Sequence, residues 1–270
     1  MTANGWLDRH PLLGYAVLCF AISWGSILCL LAATGFDLSP LQPLQAGLIF
    51  LAILAGPSAS GLILTAVLDG RTGLRRLGSA LLRWKLHPRW YAMALLTAPV
   101  LLLAILWPLD AAGAPAFAPR FQSVLFGVGL AAGGLEEIGW TGFATPRLLA
   151  RRRTGMAGLL LGLIWAFWHL LADFRYNFEA MGTAWPLEFA IVYIATLTPY
   201  RMLMTWLYSH TNSLLLAILM HASYTGWLLV LFPATSLTQS LSWQTAFALL
   251  LWLAVVVVQK ISSRWRGIPG

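Results

Sequence analysis

Residues 124–153 read VLFGVGLAAGGLEEIGWTGFATPRLLARRR. A long apolar run holds Glu136 and Glu137 side by side, and four arginines then close it at Arg147, Arg151, Arg152 and Arg153. Twelve apolar or small residues precede the pair, and the nearest cation in the chain, Arg147, lies ten positions beyond Glu137. Such a run is long enough to cross the hydrocarbon core of a bilayer, which takes about 20 residues of helix. Its charges then mark where the membrane ends.

The rest of the chain has the same character. Over 270 residues, 59% are hydrophobic and 10% charged, against roughly 25% charged in soluble domains, and the mean hydropathy is +0.77. This composition predicts an all-α, polytopic membrane helical bundle of about eight transmembrane helices, forming a single integral membrane domain over 1–270. Hydropathy places the spans near 11–34, 44–68, 90–109, 121–145, 155–173, 186–208, 212–232 and 241–259. The first span lacks the short apolar core and cleavage site of a removable signal and reads as a retained helix. SHTNS, residues 209–213, fits a tight turn between antiparallel helices.

Charge placement sets the orientation. Fourteen of the 17 basic residues fall on one side of an eight-span chain: Arg9, six between Arg71 and Arg89, the four at 147–153, and Lys260, Arg264 and Arg266. The positive-inside rule makes that side cytoplasmic and puts both termini there, in a multi-pass protein of the cell inner or plasma membrane. A net charge of +8 therefore reads as topology and contact with anionic membrane lipids, with no nucleic acid partner. The stretch from Asp69 to Trp90 fits an amphipathic interfacial helix. Cys19 and Cys29 lie about 15 Å apart along one helix and are packing residues.

Ionisable groups at membrane depth carry the chemistry, because each costs about 2.5–3.5 kcal/mol at a helix centre. They are Glu136, Glu137, His169, Arg201 and His221; Asp173, Glu179 and Glu188 read as surface beside the fifth loop. At about 1.5 Å per residue, Glu136, His169 and His221 sit roughly 16, 24 and 13 Å from the cytoplasmic end of their helices, all within a core about 30 Å thick. Two adjacent carboxylates in a low-dielectric site do not both ionise readily, which suits one of them to general-base work on water. The histidines can bind a metal, bind a water or donate to an oxyanion. Glu136, His169 and His221 are the candidate ligands of a possible divalent metal such as zinc, although the His-Glu-x-x-His pattern is absent. Arg201 reads as a snorkelling residue or as a counter-ion to the pair. Gly133, Gly134 and Gly139 are small enough to let neighbouring helices close around it.

These residues resemble the CPBP family, the intramembrane proteases related to the type II CAAX prenyl endopeptidase and to bacteriocin-processing proteins. The family pattern is Glu-Glu-x-x-x-Arg, then Phe-x-x-x-His, then His-x-x-x-Asn or Asp. Here EEIGWT supplies Glu136 and Glu137 with Thr141 in the Arg position. WAFWH supplies His169 with Trp165 for Phe, and HASYT supplies His221 with Thr225 for Asn. The likeness is strongest over 121–232, the expected catalytic core, and GPSASGLILT with DGRTGLRRL reads like the bacterial branch. It implies an intramembrane endopeptidase acting on a peptide or protein substrate. Glu136 and His169 would activate the water, Glu137 would support the site, and His221 with Thr225 would stabilise the oxyanion. Trp140 and Trp165 are the candidates for substrate contact, packing being their simpler role. Thr141 lacks the motif's cation, leaving Arg147 or Arg201 to replace it. The alternative function is a catalytically silent membrane adaptor or immunity-type protein on the same scaffold.

Overall fold

The computed structural model describes residues 3–33, 35, 42–118, 123–233 and 235–265, without the side chains of 3, 4, 43, 46, 123–125, 172–181 and 263–265. Among the described residues every regular element is helical. A short α1 (Ala3–Arg9) leads into α2 (Pro11–Ala33), α3 (Pro43–Leu81) and α4 (Pro88–Ala111). The polypeptide continues through α5 (Ser123–Gly139), α6 (Thr145–Leu149) and α7 (Thr154–Met181). It ends with α8 (Trp185–Phe189), α9 (Thr196–Thr211), α10 (Leu214–Leu231) and α11 (Leu237–Trp265).

Six of these helices are long and apolar enough to cross a membrane: Pro11–Ala33, Gly47–Leu81, Pro88–Ala111, Thr154–Leu171, Leu214–Leu231 and Leu237–Ser262. The polytopic helical bundle is therefore the architecture of the chain. The other two expected spans, near 121–145 and 186–208, are each interrupted by a π-helical turn, Trp140–Ala144 and Ala190–Ala195. A π turn leaves carbonyls without their ordinary i+4 donor. Each turn here has a threonine hydroxyl supplying one: Thr145 Oγ1 donates to Trp140 O at 2.9 Å and Thr196 Oγ1 to Ile191 O at 2.8 Å.

The basic segment after Asp69 is helical, as expected. It continues α3 beyond a kink at Gly70, whose φ of 60° is the left-handed conformation that glycine adopts at little cost. The tight turn at 209–213 is also present, with Asn212 at φ 48° and the Ser213 hydroxyl capping α10 at Leu216 N. Other segments depart from expectation. Helix α7 runs on to Met181, through the stretch read as a loop, so Asp173, Arg175 and Glu179 lie on it although their side chains are outside the described residues. Glu188, expected at the surface, is only 6% exposed, because α8 folds back against α7. Arg120 and Arg266 lie outside the described residues. Cys19 is buried and Cys29 exposed, both as free thiols.

Helix-to-helix hydrogen bonds hold the bundle where a hydrophobic driving force is absent. Ser58 Oγ donates to the Leu135 carbonyl, tying α3 to α5 one residue before the glutamates. Tyr200 Oη donates to Met220 O at 2.7 Å, and Ser223 Oγ to Leu95 O at 2.7 Å, so α10 is fixed to α9 and α4. Close backbone approach does the rest. A Cβ on Gly133 would come within 2.7 Å of Ala222 N on α10, and one on Gly139 would fall on the Pro57 carbonyl of α3. Gly134 differs from the expectation: it faces open space, with nothing near a built Cβ.

Candidate active site

The pair of glutamates projects from the last turn of α5, where Gly133 and Gly139 let α10 and α3 come close enough to seal them from solvent. Glu136 is 3% exposed and Glu137 0%. Neighbouring residues on a helix diverge by about 100°, and the two carboxylates accordingly have different surroundings.

Glu137 is saturated. Arg201, from α9, reaches it through both terminal nitrogens: Nη1 donates to Oε2 and Nη2 to Oε1, each at 2.8 Å. His221 Nδ1, from α10, donates to Oε1 at 2.7 Å. Thr141 Oγ1, one turn along the same helix, donates to Oε2. Four hydrogen bonds fill the carboxylate's acceptor sites in a planar fork-to-fork geometry that an arginine, and not a lysine, can supply. Arg201 is itself completely buried and lies 4.1 Å from the centre of the Trp165 ring. Of the two roles expected of Arg201, counter-ion is the one the fold uses. Arg147 is committed elsewhere, to Asp69 at 2.8 Å and to the Phe143 carbonyl at 3.1 Å. Thr141 thus contributes a neutral hydroxyl to Glu137, and the cation beside that carboxylate comes from another helix.

Glu136 is held lightly by comparison. Trp165 Nε1, from α7, donates to Oε2 at 2.9 Å. Oε1 faces His221 Nε2 at 3.9 Å, which is beyond hydrogen-bond range. Since the carboxylate of Glu137 only accepts, Nδ1 of His221 carries the hydrogen. The Nε2 edge turned towards Glu136 is then an acceptor in the neutral ring and a donor in the imidazolium.

Trp165 is the centre of the arrangement. Besides its bond to Glu136 and its contact with Arg201, its ring meets His221 at 5.1 Å and His169 at 5.5 Å, edge to face in both cases. His169 is half-buried on the same helix, packed between Trp168 and Tyr193. Its Nδ1 donates to the Trp165 carbonyl at 2.9 Å, which leaves Nε2 with its lone pair. Trp140 is fully buried between Tyr15 and Trp168. Thr225 lies one turn beyond His221 on α10, half-buried, and enters none of the hydrogen bonds of the cluster.

The fold thus brings Glu136, Glu137, Arg201, His221 and Trp165 into one buried cluster and sets His169 at its edge. Among the described residues, no three His, Cys, Asp or Glu side chains are gathered as ligands of one metal ion, so Glu136, His169 and His221 do not form a ready zinc set. The bond from Trp165 to Glu136 is the connection that sequence reasoning missed. The signal for it was the i, i+4 spacing of Trp165 and His169, which puts both on one helix face.

Comparison with known proteins shows what the stretch carrying this cluster is similar to. Residues 118–227 match the family described as type II CAAX prenyl endopeptidase Rce1-like. Over 113 residues the chain is 29% identical to CAAX prenyl protease 2 of Methanococcus maripaludis, an alignment that covers 40% of this chain and 41% of that protein. The chain therefore spans about two fifths of the length of the curated relative it matches. The matched stretch begins just ahead of α5 and ends within α10, and every residue of the cluster falls inside it. Residues 118–227 of this chain are thus similar to the Rce1-like type II CAAX prenyl endopeptidases, in agreement with the motifs at Glu136, His169 and His221.

Proposed function

We propose that the chain is an intramembrane endopeptidase in which Glu136 activates a water molecule against a peptide bond. The observation that carries this reading is the unequal treatment of the two carboxylates. Glu137, with four donors, has no acceptor capacity left for a water and serves to hold His221. Glu136, with a single N–H on one oxygen, keeps the other oxygen free, turned towards an imidazole edge.

The chemical steps use that placement. Glu136 takes one proton from the water as its oxygen adds to the substrate carbonyl carbon, and the carbonyl π pair moves onto oxygen. His221, as the imidazolium, donates from Nε2 to that oxyanion, and the Glu137 carboxylate at Nδ1 stabilises the ring's charge. The C–N bond then breaks, and Glu136 returns the proton to the leaving nitrogen. His169 Nε2 accepts a hydrogen bond from the attacking water, and the Thr225 hydroxyl is a second donor to the oxyanion. Trp165 positions Glu136, while Trp140 is closed in between Tyr15 and Trp168 and packs the bundle. No step is routed through a metal, because no three ligands are gathered for one among the described residues. The substrate class is a peptide or protein presented at the membrane, with both termini of the enzyme cytoplasmic.

The test is cleavage in proteoliposomes of a quenched-fluorescent peptide set that includes C-terminally prenylated members. Glu136→Gln keeps the shape and the Trp165 bond but cannot take a proton. Cleavage should vanish while the Glu137–Arg201 pair keeps the protein folded. Undiminished cleavage by Glu136→Gln, or by His169→Ala, rules the mechanism out.

A further inference from the structure

On the face of α9 away from the glutamates, two adjoining cavities of about 780 and 660 Å³ form a continuous cleft between α7, α9, α11 and the start of α4. Both volumes lie within the usual range of about 300–1,000 Å³ for small-molecule sites. The first is mostly apolar, lined by Leu159, Met202, Leu203, Val255 and Val258, with Arg153, ahead of α7, as its cation. The second has Arg89 from the start of α4 and His210 near the end of α9. No Asp or Glu lines either cavity. Among the described residues, neither Arg89 nor Arg153 has a carboxylate partner, and both are exposed.

The second cavity has a built aromatic lining. Trp90, Trp206 and His210 pack against one another with ring centres 4.5–5.7 Å apart. Trp206 Nε1 donates to Ser262 Oγ at 2.6 Å, fastening α9 to α11. The Arg89 guanidinium lies 4.8 Å from the Trp90 ring, which orients it at the mouth. From Val255 to Ser262 the cleft follows two turns of α11, about 10 Å. That is the step from acyl chain to phosphate in one leaflet.

We propose that this cleft binds one anionic phospholipid of the cytoplasmic leaflet, its phosphate between Arg89 and Arg153 and an acyl chain along Met202, Leu203 and Val255. Cations without an acid, an aromatic belt at the interface and an apolar slot beneath them match the three zones of such a lipid and no uncharged one. The site is separate from the catalytic cluster: Arg201 turns towards Glu137, while Met202, the next residue, turns into the cleft.

Binding is measured on the full-length chain in neutral detergent by native mass spectrometry, titrating phosphatidylglycerol against phosphatidylcholine. Phosphatidylglycerol should fill a single saturable site. The exposed pair Arg89→Gln/Arg153→Gln should weaken it about 25-fold, at roughly fivefold per arginine. Arg71→Gln/Arg75→Gln, on the exposed surface of α3, should leave it unchanged. Equal affinity for phosphatidylcholine, unchanged binding by the first pair, or equal loss by the second overturns the proposal. So does a co-purified peptide retained in place of lipid. None of these readouts depends on proteolysis.

Discussion

Replacing Arg201 by Met tests whether the centre of the fold is an ion pair or merely a crowded spot. Arg201 and Glu137 are both inaccessible, and their two hydrogen bonds are each 2.8 Å. Hydrogen bonds to charged groups contribute about 1.5–3 kcal/mol each, so losing both costs about 3–6 kcal/mol. Breaking one partner out of a buried pair costs about 3–5 kcal/mol. The two ranges overlap at about 3–5 kcal/mol, which is the expected loss. Removing both members in Arg201→Met/Glu137→Met strands only neutral donors, so the double variant should be more stable than Arg201→Met alone. Arg201→Lys should fall between, since an ammonium cannot make the planar fork. The assay is equilibrium unfolding in mixed micelles followed by tryptophan fluorescence. An Arg201→Met loss under about 1 kcal/mol, or a double variant equal to the sum of the singles, would refute the account of the pair.

Trp165→Phe keeps the ring beside both histidines and Arg201 but deletes the N–H on Glu136; cleavage should drop about tenfold or more through a misplaced base, with unfolding moved by no more than about 1.5 kcal/mol. Gly139→Ala drives a methyl onto the Pro57 carbonyl and should destabilise by about 1–3 kcal/mol or prevent assembly, whereas Gly134→Ala meets open space and should gain up to about 1 kcal/mol of helix propensity. Treatment with a chelator such as EDTA should leave cleavage at the untreated rate, and loss restored by added zinc would contradict the ligand geometry.

Much of this was readable from the chain. The apolar runs mark the helices because in hydrocarbon a helix must satisfy its own backbone, and the buried charges mark the site because nothing else repays their cost. The pairings within the site were less readable. Thr141 in place of an arginine looks like a missing cation with Arg147 and Arg201 as equal substitutes, and three-dimensional packing chooses Arg201, 64 residues from Glu137, while Arg147 goes to Asp69. Gly133 and Gly134 are indistinguishable in sequence, yet a rotation of one residue points the first at Ala222 and the second at open space. Glu188 looked like a loop residue because the turn carrying α8 back against α7 leaves no periodic trace in a five-residue helix.

The π turns also escaped the sequence, and their positions connect fold to site. One begins three residues after Glu137, and the other ends six residues before Arg201. An added residue in a turn rotates the remainder of the helix by about 100° relative to regular winding. On α5 this allows the face before the turn to pack against α10 and α3 while the face after it sends Arg147 to Asp69. On α9 the turn precedes a stretch that must serve two sides, Arg201 towards Glu137 and Met202 towards the cleft with α11. Trp252 Nε1 donates to Ala195 O at 3.0 Å at the end of that turn, so α11 helps fix the rotation of α9. Among the described residues, the two segments that carry the opposed charges are thus the two with a π turn, each next to its charge. A uniform helix would have to choose between burying its charged residue and packing its neighbours; the π turn lets each do both.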